Sequence, residues 1–152
     1  MGGSHLTYAY DQATNNLIDA SNVAAVTVLS AELKIFRGDE HFILRGNVYS
    51  DASTSSAANL SGLTFSSKIG SLGTTAIISC DSSGFNNVED WSLVNVSSGS
   101  ICFVVNSAGS IIDTDLGTKL SKTYYCHIHG KDGDGDDRTI ALFPVTILNT
   151  PD

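Results

Sequence analysis

Cys126-His127-Ile128-His129 is the densest grouping of ligand-type side chains in this sequence. Residues two apart on a strand project to the same face, so His127 and His129 would present both imidazoles to one metal ion. A third ligand would have to come from elsewhere, and His41 is the candidate. Cys126, at opposite parity, would face away from the pair. Two ligands without a fixed third make a weak site, so an exposed strand face carrying two ordinary histidines is the simpler reading.

Asp132-Gly133-Asp134-Gly135-Asp136-Asp137 offers a different chemistry, because hard cations want several carboxylate oxygens close together. The spacing of a helix-loop-helix calcium loop fails here. Its sixth position is Asp137 where glycine is needed, and its twelfth is Phe143 where a bidentate glutamate is needed. Asp132, Asp134 and Asp136 are therefore weak metal candidates, and the expected role of the segment is a solvated hairpin turn shaped by its glycines. No metal or other cofactor is expected.

Catalytic arrangements are missing. The many serines include no Gly-x-Ser-x-Gly elbow. The acids fall mainly in turns, as in Asp39-Glu40, Glu89-Asp90, Asp113 and Asp115, without the pairing that acid-base catalysis needs. No phosphate loop, dinucleotide fingerprint or Cys-x-x-Cys pair occurs. The expectation is a protein that binds or assembles and does not catalyse.

The bulk properties narrow the partners. With 16 acidic and 8 basic residues the net charge is −8, and the basic residues are scattered, which argues against nucleic acid. No apolar run is long enough to cross a membrane. Met1-Gly2-Gly3-Ser4-His5 has no charged region followed by an apolar one, so it does not read as a secretory signal and is left out of the fold reading. The odd set Cys80, Cys102 and Cys126 suggests reduced thiols, acting as small buried hydrophobes.

The elements that must carry these residues are strands. His41–Tyr49 alternates, with Phe42, Leu44, Gly46 and Val48 on one face and Arg45 and Asn47 on the other. Leu63–Ile69 alternates again, Ala76–Cys80 is a short apolar strand, and Ile101–Val105 is a continuous apolar run of the kind covered on both faces. Thr123–His129 and Thr139–Leu148 complete the pattern, with Pro144 predicting an edge strand or a bulge. The region of Ile111-Ile112, between Gly109 and Gly117, reads as a long connection. The expected architecture is all-β, an antiparallel sandwich of about seven to eight strands occupying residues 32–149. Residues 1–31 are expected to form a partly flexible arm, with Tyr8 and Tyr10 alternating on a short strand that anchors to a neighbouring subunit, and 150–152 a tail.

Two resemblances sharpen this. Cys80, Trp91 and Tyr124-Tyr125-Cys126 resemble the cysteine and tryptophan pattern of immunoglobulin domains, although the Asp-x-Gly-x-Tyr-x-Cys motif is absent and Cys102 is left over. Ile35-Phe36-Arg37-Gly38-Asp39-Glu40, Asn59-Leu60-Ser61-Gly62-Leu63-Thr64-Phe65 and Gly130-Lys131-Asp132-Gly133 are similar, in type and order, to turns of the immunoglobulin-like domains of phage baseplate and tail proteins. The N-terminal domain of the upper baseplate protein family is the nearest of these. The resemblance implies a virion structural module (tail, baseplate, fibre or head decoration) that assembles in the host cytoplasm with other virion proteins or with copies of itself. Arg37-Gly38-Asp39 also matches the integrin-binding tripeptide, but a turn between strands accounts for it. The alternative is a module binding carbohydrate or a cell surface, of phage or bacterial-adhesin origin, which would expose an aromatic such as Trp91 or Tyr124.

Overall fold

The computed structural model describes residues 5–17, 27–28, 33–40, 42–50, 57–80 and 95–150. They form two β-sheets of five strands each, packed face to face. The first sheet holds β1 (His5–Asp11), β2 (Asn16–Leu17), β3 (Thr27–Val28), β5 (Phe42–Tyr49) and β8 (Ser100–Val105). It runs β2-β1-β5-β8, with β3 also on β1. The second holds β4 (Lys34–Phe36), β6 (Thr64–Gly70), β7 (Ile78–Cys80), β9 (Ser121–Lys131) and β10 (Asp137–Leu148), in the order β4-β10-β9-β6-β7. A two-sheet all-β sandwich is what the alternating stretches predict.

Alternation decides which side chains meet between the sheets. Leu44 and Val48 on β5, and Ile101, Phe103 and Val105 on β8, face Tyr124, Cys126 and Ile128 on β9 and Phe143, Val145 and Ile147 on β10, and every one of these is buried. The opposite face of the first sheet is also closed, since Ile43, Asn47, Tyr49 and Cys102 are buried. β5 is therefore covered on both faces, where its pattern predicted one.

The expected arm is corrected by the structure. β1 lies inside the first sheet, parallel to β5 over its whole length, from His5 opposite Ile43 to Asp11 opposite Tyr49. Tyr8 and Tyr10 are fully buried, with ring centroids 4.4 and 6.3 Å from that of Phe143 on the facing sheet. They are core residues and leave no ring for a neighbouring subunit. The alternation Tyr8-Ala9-Tyr10 is that of a strand inside this fold, and the space it fills is supplied by Gly46, its partner in register. A Cβ at Gly46 would overlap the Tyr8 phenol. Asp11 ends the strand: its carboxylate accepts from the Ala13 amide at 2.9 Å and the Thr14 hydroxyl at 2.7 Å, and Asn15 takes the left-handed conformation that turns the chain into β2.

Three strand pairs, β1 with β5, β1 with β3 and β4 with β10, are parallel, so the sandwich is mixed and not purely antiparallel. Pro144 lies in β10 opposite Tyr125, while the bulge sits between Thr139 and Ala141. β4 reaches only Thr146–Leu148, so at Pro144 one flank of β10 has no paired strand among the described residues, and the missing N–H costs no ladder bond.

The expected connection at 109–117 contains a helix, α1 (Ser110–Leu116), whose Ile112 and Leu116 are buried. It is tied at both ends. Arg37 donates to the Asp113 carboxylate at 2.9 Å. Asp115 accepts from the Tyr124 hydroxyl at 2.5 Å and from the Lys122 ammonium at 2.9 Å, which together hold its carboxyl below the usual range.

Candidate interaction surface

The Arg37-Gly38-Asp39 turn is fastened inward. Besides Asp113, Arg37 donates to the Thr150 carbonyl at 3.1 Å. Buried Ser107 receives the Asp39 amide at 3.1 Å and donates to the Phe36 carbonyl at 2.5 Å. Gly38 supplies the positive φ of 95°. The tripeptide is turn chemistry.

The outer face of the second sheet is where chemistry-bearing side chains gather. On β9 the inward set is Tyr124, Cys126 and Ile128, which leaves Thr123, Tyr125, His127 and His129 outward and half-buried or exposed. Register places Ser66 and Thr139 beside His129, Lys68 and Leu142 beside His127, and Gly70 and Pro144 beside Tyr125. The two imidazoles stack with centroids 5.1 Å apart and planes 20° from parallel. As predicted, they share a face and Cys126 points away. They do not converge on one point, however. Nε2 of His127 is paired with the Thr139 hydroxyl at 3.0 Å on β10, while Nε2 of His129 is paired with the Ser66 hydroxyl at 2.9 Å on β6. His41, the third candidate, lies outside the described residues. Partial burial, and then the neighbouring His129 and Lys68, hold the His127 imidazole below its ordinary value.

Between this face and the β6–β7 turn runs a groove of about 590 Å³. Lys68, Tyr125, His127, Thr139 and Leu142 form its floor, and Ser71 to Ala76 form its lip. The lip is ordered by its own bonds: Thr74 donates from its amide at 3.2 Å and from its hydroxyl at 2.7 Å to the Ser71 carbonyl, and Gly73 takes a φ of 76°. Leu72 stands exposed on it. The groove is not visible in any single segment of sequence, because it is assembled from rungs of four strands and a turn. Its signal is the outward parity of Tyr125 and His127. Of the aromatics expected at a glycan site, Tyr124 is buried and its neighbour Tyr125 takes the outer position, while Trp91 lies outside the described residues.

The aspartate turn has a structural role. Asp132 Oδ1 accepts the amides of Asp134 at 2.9 Å and Asp136 at 3.1 Å, and the Gly135 amide donates to the Asp132 carbonyl at 3.0 Å. The carboxylate oxygens of Asp132, Asp134 and Asp136 lie within 4.8 Å of one another, the last two residues exposed.

None of Cys80, Cys102 and Cys126 is in a disulfide; Cys102 and Cys126 are buried and Cys80 is half-buried. Cys80 on β7 and Cys126 on β9 belong to the same sheet, so the intersheet bridge of an immunoglobulin domain has no counterpart in this pair. Burial pushes the Cys126 thiol far up and keeps it protonated.

These features define a class: a two-sheet β domain with an ordered groove of mixed polar and apolar lining on one outer face. Among solved structures the chain is similar in fold to the N-terminal domain of phage TP901-1 ORF48, at 8% sequence identity and a TM-score of 0.51. The match covers 98% of this chain and 100% of that one, so it takes in the residues before 32. The chain matches no protein-family model and no curated protein sequence.

Proposed function

We propose that this chain is a non-catalytic structural domain of a phage particle, assembled in the host cytoplasm and acting through contacts with other virion proteins. The observation that carries the reading is the fold, shared end to end with a phage domain despite 8% identity. The turn motifs at residues 35–40 and 59–65 support it independently, being similar to those of baseplate domains. Strand order supports the immunoglobulin-like assignment: one sheet joins β4, β10, β9, β6 and β7 and the other pairs β5 with β8, the arrangement of A′GFCC′ and BE strands. The test is mass spectrometry of gradient-purified particles from the source of the sequence. Peptides of this chain at fixed stoichiometry in the particle band are expected, and their absence from intact particles would remove the structural role.

A second reading, a carbohydrate-binding module, is favoured by one observation: the groove over Tyr125 and His127, whose lip and floor are rich in hydroxyls.

A further inference from the structure

The lining of the groove on the second sheet departs from the acidic balance of the chain as a whole. The chain has twice as many acidic as basic residues, 16 to 8. Among the described residues that line the groove, however, there is no aspartate or glutamate, and Lys68 supplies a full positive charge. His127 lies in register with Lys68 on the neighbouring strand, its Nε2 paired with the Thr139 hydroxyl at 3.0 Å. Thr75 and Ser79 add hydroxyls on the β7 side. Tyr125 is one rung along, half-buried and flanked in register by Gly70.

This combination selects among ligand chemistries. A metal cation has no carboxylate to meet. A wholly apolar ligand would strip water from Lys68 and the hydroxyls without replacing their hydrogen bonds. A polyanion such as nucleic acid would find one lysine on a molecule of net charge −8. An extended acidic peptide adding as a strand would sit at the outer edge of β7 on the groove's rim and not over its floor, where β9 is paired on both flanks, with β6 and β10. A ring with hydroxyls, an apolar C–H face and one anionic group satisfies every part. Its C–H face packs on Tyr125, its hydroxyls meet groups that both donate and accept, and its anion meets the Lys68 ammonium. The volume, about 590 Å³, lies in the range of small-ligand pockets.

We propose that this groove binds a saccharide ring bearing one carboxylate or phosphate, with Lys68 pairing the anion, Tyr125 packing on the ring and His127 and Thr139 meeting its hydroxyls. The assignment deepens the carbohydrate-binding reading and does not depend on the virion one.

The experiment is an NMR titration of the full chain with glucuronic acid, glucose 6-phosphate, glucose and inorganic phosphate, following the ring signals of His127 and Tyr125. Saturable shifts of both rings are expected with glucuronic acid or glucose 6-phosphate, and comparing those two tells carboxylate from phosphate. Glucose should bind up to about fivefold more weakly, the most that one partly exposed charge pair contributes. Lys68→Gln should bring the anionic sugar down to the affinity of glucose, and Tyr125→Leu should weaken both, with the thermal midpoint of each variant confirming an intact fold. Equal binding of glucose, or the same shifts from inorganic phosphate alone, would overturn the proposal. Saturable sugar binding that leaves His127 and Tyr125 unmoved would overturn this site while the binding-module reading survives. Absence of binding by any of the sugars would end both.

Discussion

At the scale of single residues, the molecule places polar atoms where they cost stability and charges where they shift their neighbours. The Tyr8 hydroxyl is fully buried with no hydrogen-bond partner among the described residues, and burial drives its pKa well up. A buried hydroxyl without a partner forfeits its hydration and gains nothing in return. Tyr8→Phe is therefore expected to raise stability by about 1 kcal/mol, read as an increase in the urea midpoint at unchanged slope. Gly46→Ala, which drives a methyl into the same phenol, should cost about 1–3 kcal/mol in that assay. His127 gives a second prediction. Partial burial, His129 and Lys68 all hold its imidazole below the ordinary value. The folded protein thus binds that proton less readily than the unfolded chain. The associated stability is complete above the unfolded imidazole range and is lost as the pH falls through it and then through the lower folded value. NMR titration should place His127 below the ordinary range, and Lys68→Gln should move it back upward. A titration of His127 indifferent to Lys68 would contradict the register that sets them side by side.

At the scale of elements, turn chemistry and strand parity explain most of what is seen. The β9–β10 hairpin turns on Asp132, the one aspartate of its run whose carboxylate accepts backbone amides, those of residues 134 and 136. Asp132→Ala should cost about 1 kcal/mol of stability, whereas Asp134→Asn and Asp136→Asn should cost almost nothing. Three denaturation curves decide it, and equal losses at all three positions would reassign the cluster's role. This hairpin, β6 and β8 were legible in the sequence because each signal is local: alternation, a continuous apolar run, or glycines at a turn. The helix α1 was not legible. Seven residues are too few to show a helical period, and it persists because Ile112 and Leu116 are buried and Arg37, Lys122 and Tyr124 hold its acids. The groove was half legible: the outward parity of His127 was plain, but Lys68 and Gly70, which complete its rungs, lie on a strand distant in sequence.

At the scale of the whole molecule, the decisive contact is the one that local patterns could not supply, between the first described strand and the middle of the sheet. Tyr8 and Tyr10 read as an exposed strand of an arm because no nearby residue supplies their burial. Phe143, against which they pack, lies at the far end of the chain. Long-range pairing of this kind leaves no periodic trace. Its energetic weight is nevertheless large. Burying an aromatic side chain contributes about 1.5–3 kcal/mol. Two such residues, together with the parallel ladder to β5, are comparable with the net stability of an ordinary domain, about 5–15 kcal/mol. Removing β1 would also open the flank of β5 and leave a void beside Gly46 that no other described side chain fills. Deletion of residues 1–11 is therefore expected to abolish cooperative unfolding and collapse the amide dispersion of the NMR spectrum. An appendage would behave otherwise, its loss leaving the spectrum of residues 33–150 in place. Retention of a sharp thermal transition in the truncated chain would make the first strand dispensable. Its loss would establish the first strand as part of one folding unit, in keeping with a likeness to the phage domain that covers 98% of this chain.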